Sequence, residues 1–484
     1  MRGRARSKVR SLVWFRSDLR ARDNTALHAA AARATRGVIG LYVISPGDWA
    51  RHDTAPCRVG LVLRNLAFLS AELAQRNIPL LVRTAERHGD VGRAVVRVAS
   101  EFDCDEVHFN EEYPVNERQR DAVVADLLAS VSRAAHAHAD DLVFSPDSIR
   151  TAQGRPYTVF TPFKRAWIRA AEARGLPPLL PLPRKQHAMV CARDAIPDSP
   201  PGMSDPVDPG LWPAGEAHAC RQLGAFLRDR IVRYERDRNE PAIDGTSRLS
   251  PQLAAGVISA RQCLHAAVES NDGRLESGGV GPITWISELI WREFYRHILI
   301  AFPRVSMNRP FRLATDGIRW SDDERKFEAW RQGRTGIPLV DAAMRALTCT
   351  GWMHNRLRMI TAMYLTKDLF IDWRWGERHF MRHLVDGDLA SNNGGWQWSA
   401  STGTDAAPYF RVFNPVSQSR AWDPKGVFIR RWLPELRALD DNAIHDPSGL
   451  PPLALARLDY PAPIVDHARA RERAIAAFRA LAGG

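Results

Sequence analysis

Cysteine is scarce and scattered: Cys57, Cys104, Cys191, Cys220, Cys263 and Cys349 are the only six in 484 residues, and no two form a C-x-x-C pair. That spacing argues against a disulfide-stapled scaffold and against a thiolate zinc site, and reads as buried free thiols. No apolar run approaches the ~18 residues that span a bilayer. The chain opens with Arg2, Arg4, Arg6, Lys8 and Arg10, but only Leu12–Phe15 follows before Arg16 and Asp18 interrupt, too little for a signal-peptide core. A soluble, cytoplasmic protein is expected. Neither G-x-G-x-x-G nor G-x-x-x-x-G-K-[ST] occurs, which disfavours an ordinary dinucleotide or P-loop site. No nucleophilic triad and no metal-ligand cluster is readable, so no metal is expected. Lysine is rare too, six of the 67 basic residues. The net charge of +12 is largely arginine; it permits a polyanionic partner without establishing one.

With 45% hydrophobic residues the chain can bury sizeable cores, and dominant disorder is excluded. Over roughly the first 140 residues, strand-like and helix-like patterns alternate. Ser11–Phe15, Gly37–Ile44, Ile78–Arg83 and Glu106–Phe109 read as strands; Thr25–Ala34, Arg58–Gln75 and Val91–Glu101 read as helices. The alternation predicts an α/β domain with a doubly wound parallel sheet over residues 1–140. Ten prolines fall between Pro177 and Pro213, a density no helix or central strand tolerates, so residues 141–217 read as a connection. From residue 218 to 484 helical patterns dominate, and an all-α C-terminal domain is expected.

Tryptophan is abundant and unevenly placed. Nine of the 15 fall within residues 285–398. In Trp285–Tyr295 a helix would align Trp285, Glu288, Arg292 and Tyr295; in Thr350–Met359 it would align Trp352, Asn355, Arg356 and Met359. A plain core stripe does not carry Glu or Asn, because an unpaired buried polar group is costly. Such faces suit an aromatic pocket with a few convergent polar groups, or else an internal salt bridge between Glu288 and an arginine. Asp386–Trp398 is rich in carboxylates, amides and glycine. Gly245–Ser250 combines hydroxyls and an arginine where a loop would run into a helix, a composition that suits phosphate binding or plain capping.

In this order the segments resemble the photolyase/cryptochrome flavoproteins, specifically class I cyclobutane pyrimidine dimer photolyases of bacterial type. The likeness runs from Leu12-Val-Trp-Phe-Arg-Ser-Asp-Leu-Arg20 through Trp352–Met359 to Thr402-Gly-Thr-Asp-Ala-Ala-Pro-Tyr409-Phe-Arg411. It implies an α/β domain, a long linker and an all-α FAD-binding domain, and a carbon–carbon lyase that repairs UV-damaged DNA with light. By position, Tyr234 and Thr246, Ser247, Arg248, Leu249 and Ser250 resemble the grip on the FAD phosphates. Trp285, Glu288, Arg292, Asn355, Arg358, Asp386 and Asp388 resemble residues around the flavin and its ribityl chain, and Asn392 the residue facing flavin N5. Trp396, Trp373 and Trp320 match the tryptophan relay that carries an electron in from the surface. Trp291, Trp398 and Met359 resemble the walls of the lesion pocket, with Glu288 and Asn355 touching the lesion bases and Arg238 and Arg356 contacting DNA. Glu288 would donate a hydrogen bond to the developing radical anion.

Asn355 and Asn392 are the residues expected of a dimer photolyase, where other branches carry His at the first and Asp or Cys at the second. The chain ends at Gly484 without the long tail of signalling cryptochromes, so repair is expected over the alternative, a blue-light receptor without repair activity. A folate antenna (5,10-methenyltetrahydrofolate) would sit on Asn116 and Glu117. Glu117 could instead pair with Arg120 on a solvated helix, and Met307 stands where the family's folate-contacting Lys falls. The partners implied are damaged DNA and no membrane, for a monomer associating with the bacterial nucleoid.

Overall fold

The computed structural model describes residues 8–199 and 203–482, so Arg2, Arg4 and Arg6 of the basic N-terminus and the terminal Gly484 lie outside the described residues. Strands β1 (Arg10–Phe15), β2 (Gly37–Ile44), β3 (Leu80–Thr84), β4 (Glu106–Asn110) and β5 (Ala134–His138) form one parallel sheet in the order β3-β2-β1-β4-β5. Central β1 pairs Ser11 with Val38 on one side and with Glu106 on the other. The two-residue period of the strand sends its side chains into two cores. Val13 and Phe15 pack with helices Thr25–Arg33 and Pro56–Ala74, while Leu12 and Trp14 pack with His88–Glu101 and Val115–Ser130. Helices on both faces make the sheet doubly wound. The strand order reverses around β1, which opens a crevice at the carboxyl ends of β1, β2 and β4.

Two elements of this domain escape the sequence reading. Val115–Ser130 buries only Val124 and Leu128, so its pattern lacks a helical stripe. β5 reads Ala-Ala-His-Ala-His, with none of the β-branched or aromatic residues that mark strands.

The connection over 141–217 is not extended throughout. Phe160–Arg174 is a helix that buries Phe160, Phe163, Trp167 and Ile168. It is fastened to the long helix Val280–Ala301 by Glu293, which accepts from the backbone N–H of Val143 (2.9 Å) and Phe144 (3.1 Å) and from Trp167 Nε1 (2.9 Å). Between residues 175 and 208 the described residues form neither helix nor strand, as the proline density requires.

From Glu216 onward the chain is helical, and its one strand-like pairing among the described residues is the bridge Ser321–Ile371. One apolar core runs from Val13 and Phe15 through Phe163 and Trp167 to Trp285, Ile286 and Phe294, joining the sheet to the helices. A buried ion cluster reinforces the junction: Arg261 reaches Asp23 Oδ2 at 3.1 Å and Asp140 Oδ1 at 2.9 Å, and Arg20 pairs with the other Asp140 oxygen. Removing one member would strand a buried charge, at a cost of about 3–5 kcal/mol.

Candidate active site

The long helix Val280–Ala301 forms one wall of a recess in the helical region. Trp285 is buried against Phe226, with ring centroids 5.0 Å apart, and Phe226 in turn meets Tyr234 edge-on at 5.6 Å. Burial pushes the Tyr234 phenol well above its ordinary pKa. The Gly245–Ser250 segment runs into the helix Ser250–Ala254. Its Arg248 adopts φ +52°, a left-handed conformation uncommon outside glycine, and its guanidinium lies 5.4 Å from the Trp212 ring and 5.1 Å from that of Trp352. Ser250 Oγ accepts from Trp352 Nε1 at 3.2 Å, which ties this loop to the Trp352–Met359 segment. Thr246 and Ser247 are half-buried beside it, and Leu249 is fully buried.

The helix Leu389–Ala400 supplies the opposite wall. Asp388 caps it, accepting from the Ser391 N–H at 3.1 Å. Buried Asn392 donates from Nδ2 to the Glu377 carbonyl at 3.0 Å, and Asn393 donates to the Glu377 carboxyl at 2.8 Å. Burial pushes Glu377 up to about 7. One turn beyond Asn392, Gly395 is exposed, and a Cβ there would meet nothing within 4 Å, although Trp396 and Gln397 beside it are buried. Glycine therefore keeps the wall flush with open space. Arg358 and Asp386 close the floor at 2.7 Å, with the aspartate side chain 3% exposed.

Trp396, Trp373 and Trp320 follow one another from this wall outward. Trp396 and Trp373 are fully buried, and Trp320 is half-buried. The Trp396 ring lies on the backbone of Gly376, one turn after Trp373 in the helix Trp373–Met381; a Cβ at Gly376 would fall 2.1 Å from that ring. Trp320 precedes Ser321, whose N–H bonds to the Phe370 carbonyl at 2.8 Å, three residues before Trp373. Trp396 Nε1 is buried without a hydrogen-bond partner among the described residues.

Beside the recess, aromatic surface is left open. Trp291 stacks on Phe160 at 3.7 Å and 11°, and remains half-buried. Trp398 and Met359 are likewise half-buried, and Asn355 is exposed one turn before Met359. Two arginines border this surface and differ in pairing. Arg238 donates to Glu288 Oε1 at 2.7 Å, the internal salt bridge that the helix spacing left open. Arg356 instead donates to the Asn239 amide oxygen at 2.5 Å and lies 4.5 Å from the Trp422 ring.

A second cavity of about 800 Å³ fills the crevice between sheet and helices. Asn116 and Glu117 line it, along with Glu377 and Asp388 from the helical region. Arg292 also lines it: its guanidinium turns to Asp141, away from its stripe partners Trp285 and Glu288. Arg296 spans Asp141 and Asp388, the latter at 3.2 Å. Burial disfavours the Asp388 carboxylate, but the charges of Arg296 and Arg292 outweigh it and hold its pKa far below the ordinary range. Arg120 sits on Glu112 (2.7 Å) and Asp121 (2.8 Å), so the expected alternative, a Glu117–Arg120 pair, does not form. Burial and the Glu112 charge raise the Glu117 pKa. Met307 is 59% exposed at the mouth, while its neighbours Ser306 and Asn308 line the wall.

Three residues important here were not singled out from the sequence: Glu377, Trp212 and Phe160. Glu377 stands four residues after Trp373 on a buried helix face, where a carboxylate is itself a signal.

The helical recess fits FAD on its own features. Hydroxyls and an arginine at one end suit a diphosphate, a flush glycine wall leaves room for a flat ring, and buried amides offer hydrogen bonds to ring nitrogens. Residues 285–480 match the model described as "FAD binding domain of DNA photolyase", and residues 11–184 match "DNA photolyase". The chain is 44% identical to the deoxyribodipyrimidine photo-lyases of Salmonella typhimurium and Escherichia coli, covering 98% of this chain and 99% of each relative. Among solved structures it is similar to a class III photolyase of Agrobacterium tumefaciens (TM-score 0.85, 34% identity, all of both chains). It is also similar to a cryptochrome of Synechocystis (TM-score 0.84, 28% identity, 97% of this chain and 99% of that one). A fold shared with a cryptochrome leaves the branch open, but 44% identity over nearly the whole length to two bacterial deoxyribodipyrimidine photo-lyases, together with both matched domains, does not leave the family open: the chain belongs to the DNA photolyases.

Proposed function

We propose that the protein is a deoxyribodipyrimidine photo-lyase that repairs cyclobutane pyrimidine dimers in DNA by light-driven electron transfer. One arrangement carries this reading: the helix Leu389–Ala400 presents Asn392 and Trp396 on its buried side and half-exposed Trp398 toward the open aromatic surface. Relay, cofactor recess and substrate wall thus share one rigid element. Bound reduced FAD, excited by blue light, supplies the electron that opens the cyclobutane ring and takes it back afterwards.

The protein's own part is positioning and electrostatics. Thr246–Ser250 and Tyr234 hold the phosphate end, and Arg358 and Asp386 fix the floor. Asn392, its amide aimed by the Glu377 carbonyl, faces the ring. Trp291, backed by Phe160, forms with Met359 and Trp398 the walls that receive a dimer turned out of the duplex; photolyases are among the enzymes that take a damaged base out of the stack. Glu288 and Asn355 are placed to hydrogen-bond its carbonyl and ring N–H groups. Trp320, Trp373 and Trp396 carry electrons from the surface to the recess. The protein works as a monomer in the cytoplasm, bound to DNA through its basic surface, and no helix among the described residues is long and apolar enough to cross a membrane. Its units are an antenna domain (1–140), a linker (141–217) and a catalytic domain (218–484). The interdomain crevice holds a folate on Asn116 and Glu117.

The test is repair of an oligonucleotide carrying one thymine dimer by pre-reduced holoenzyme under blue light. The ultraviolet absorbance of the separate thymines should return, and not in darkness. Intact flavin photochemistry without repair would return the chain to the receptor reading.

A further inference from the structure

β4 and β5 place a carboxylate and three imidazoles on one face of the sheet. His108 pairs in register with His136 and Asn110 with His138, so the two-residue period aligns Glu106 and His108 with His136 and His138. His108 Nε2 lies 3.0 Å from Glu106 Oε1, and His136 Nε2 lies 3.3 Å from Glu106 Oε2. All three ligand atoms fall within 4.8 Å of one another. Bonds of about 2.0–2.1 Å to a tetrahedral ion put ligand atoms about 3.3 Å apart, close to the two shorter separations here.

Two further observations point to a ligand. His136 Nε2 is buried and makes no hydrogen bond among the described residues: it faces Glu106 Oε2 at 3.3 Å without hydrogen-bond geometry, a gap that an ion bound to both would fill. His108 Nδ1 lies 3.0 Å from His138 Nε2. That contact holds the His108 ring from its far side while Nε2 faces Glu106, the placement of the outer support of a metal-bound histidine.

We infer that Glu106, His108 and His136 form a binding site for a divalent ion of the zinc type, with an open position for water. It staples β5, the edge strand of the sheet, to β4. Glu106 opens β4, whereas the crevice lies past its other end at Asn110–Tyr113, so the site is separate from antenna and flavin. Two groups compete with the ion for Glu106: Ser11 Oγ donates to Oε1 at 2.8 Å, and Arg33 reaches both oxygens at 3.0–3.2 Å, although its side chain is 56% exposed and free to swing outward.

The experiment is equilibrium dialysis of the untagged, FAD-containing protein against Zn²⁺ after treatment with EDTA, with bound zinc counted per chain. Wild type should take up one zinc more than His136→Ala, and its melting temperature should rise with zinc while the variant's does not. His108→Gln should likewise lose at least tenfold in affinity, and Arg33→Met should gain severalfold. The flavin spectrum and dimer repair, expected unchanged in His136→Ala, report that the variant is folded; His136→Gln serves if it is not. Equal zinc uptake by wild type and His136 variants, or no uptake at all, overturns the site.

Discussion

The interdomain crevice and the flavin recess share two helices as walls but are lined with different chemistry. In the crevice Arg16, Arg120, Glu112 and Asp121 form one ionic network, with Arg16 2.6 Å and Arg120 2.8 Å from the same Asp121 oxygen. In the proposed flavin site the aromatic residues are buried Trp285, Trp396 and Tyr234 and half-buried Trp352, with the Arg358–Asp386 pair beside them. Losing one member of that network leaves the others partnered, whereas losing Asp386 leaves the Arg358 charge with only the Met353 carbonyl. Loss of Asp386 should therefore cost more than loss of one member of the Arg16–Arg120–Asp121 network.

The largest effect should come from that pair. Asp386→Asn keeps the shape but strands the Arg358 charge next to the flavin, and purified protein should carry at least tenfold less FAD per chain. Visible absorbance relative to protein measures it directly. Wild-type flavin content in the variant would mean that the pair props the fold and not the cofactor.

Next in size is the relay. Trp320→Phe interrupts the path at its half-exposed end and leaves the buried Trp373 and Trp396 in place. Light-driven reduction of bound FAD with an external donor should slow more than tenfold, while repair by chemically reduced enzyme stays near wild type. Unchanged photoreduction would assign the exit to another aromatic group.

The recess was far more legible in sequence than the crevice, for a physical reason. Aromatic and amide residues set at helical spacing are unusual enough to mark Trp285 and Asn355 before any fold is known, whereas Asn392 and Trp396 were marked by the family resemblance. The crevice depends on contacts between distant segments, such as Asp53 with Arg382 and Arg292 with Asp141, which no local pattern carries. The same applies to Glu288, where spacing suggested a salt bridge without naming Arg238 as its partner. The Glu106–His108–His136 cluster was not legible because β5, an alternation of Ala and His, carries no strand signal that would bring His136 beside His108.

A smaller effect separates the two DNA-facing arginines. Arg356 has only an amide as its polar partner, so its charge is available to a phosphate, while Arg238 spends its charge on Glu288. Arg356→Ala should weaken binding to damaged duplex severalfold and flatten the plot of log affinity against log salt by about 0.9. Arg238→Ala should weaken binding and leave that slope alone. Equal slope changes in both variants would show that DNA draws Arg238 off Glu288.

The smallest effect belongs to the crevice. Glu117 is half-buried beside the Glu112 charge, with its pKa raised, and the nearest guanidinium is held by Glu112 and Asp121. A pterin amino group and ring N–H would give that carboxylate the donors Arg120 withholds, in the two-pronged geometry one carboxylate accepts well. Met307 offers no charge at the mouth and points its side chain largely into solvent, so retention through purification should be weak. Adding reduced folate should then restore a near-ultraviolet band in wild type but not in Glu117→Ala, with FAD-driven repair intact in both. Met307→Lys, placing a cation at the mouth, should raise retention severalfold in the Glu117 background and have little effect in the Glu117→Ala background. If folate binds Glu117→Ala as well as wild type, or binds neither, the crevice is not a folate site and its charged network serves only to hold the two halves of the protein together.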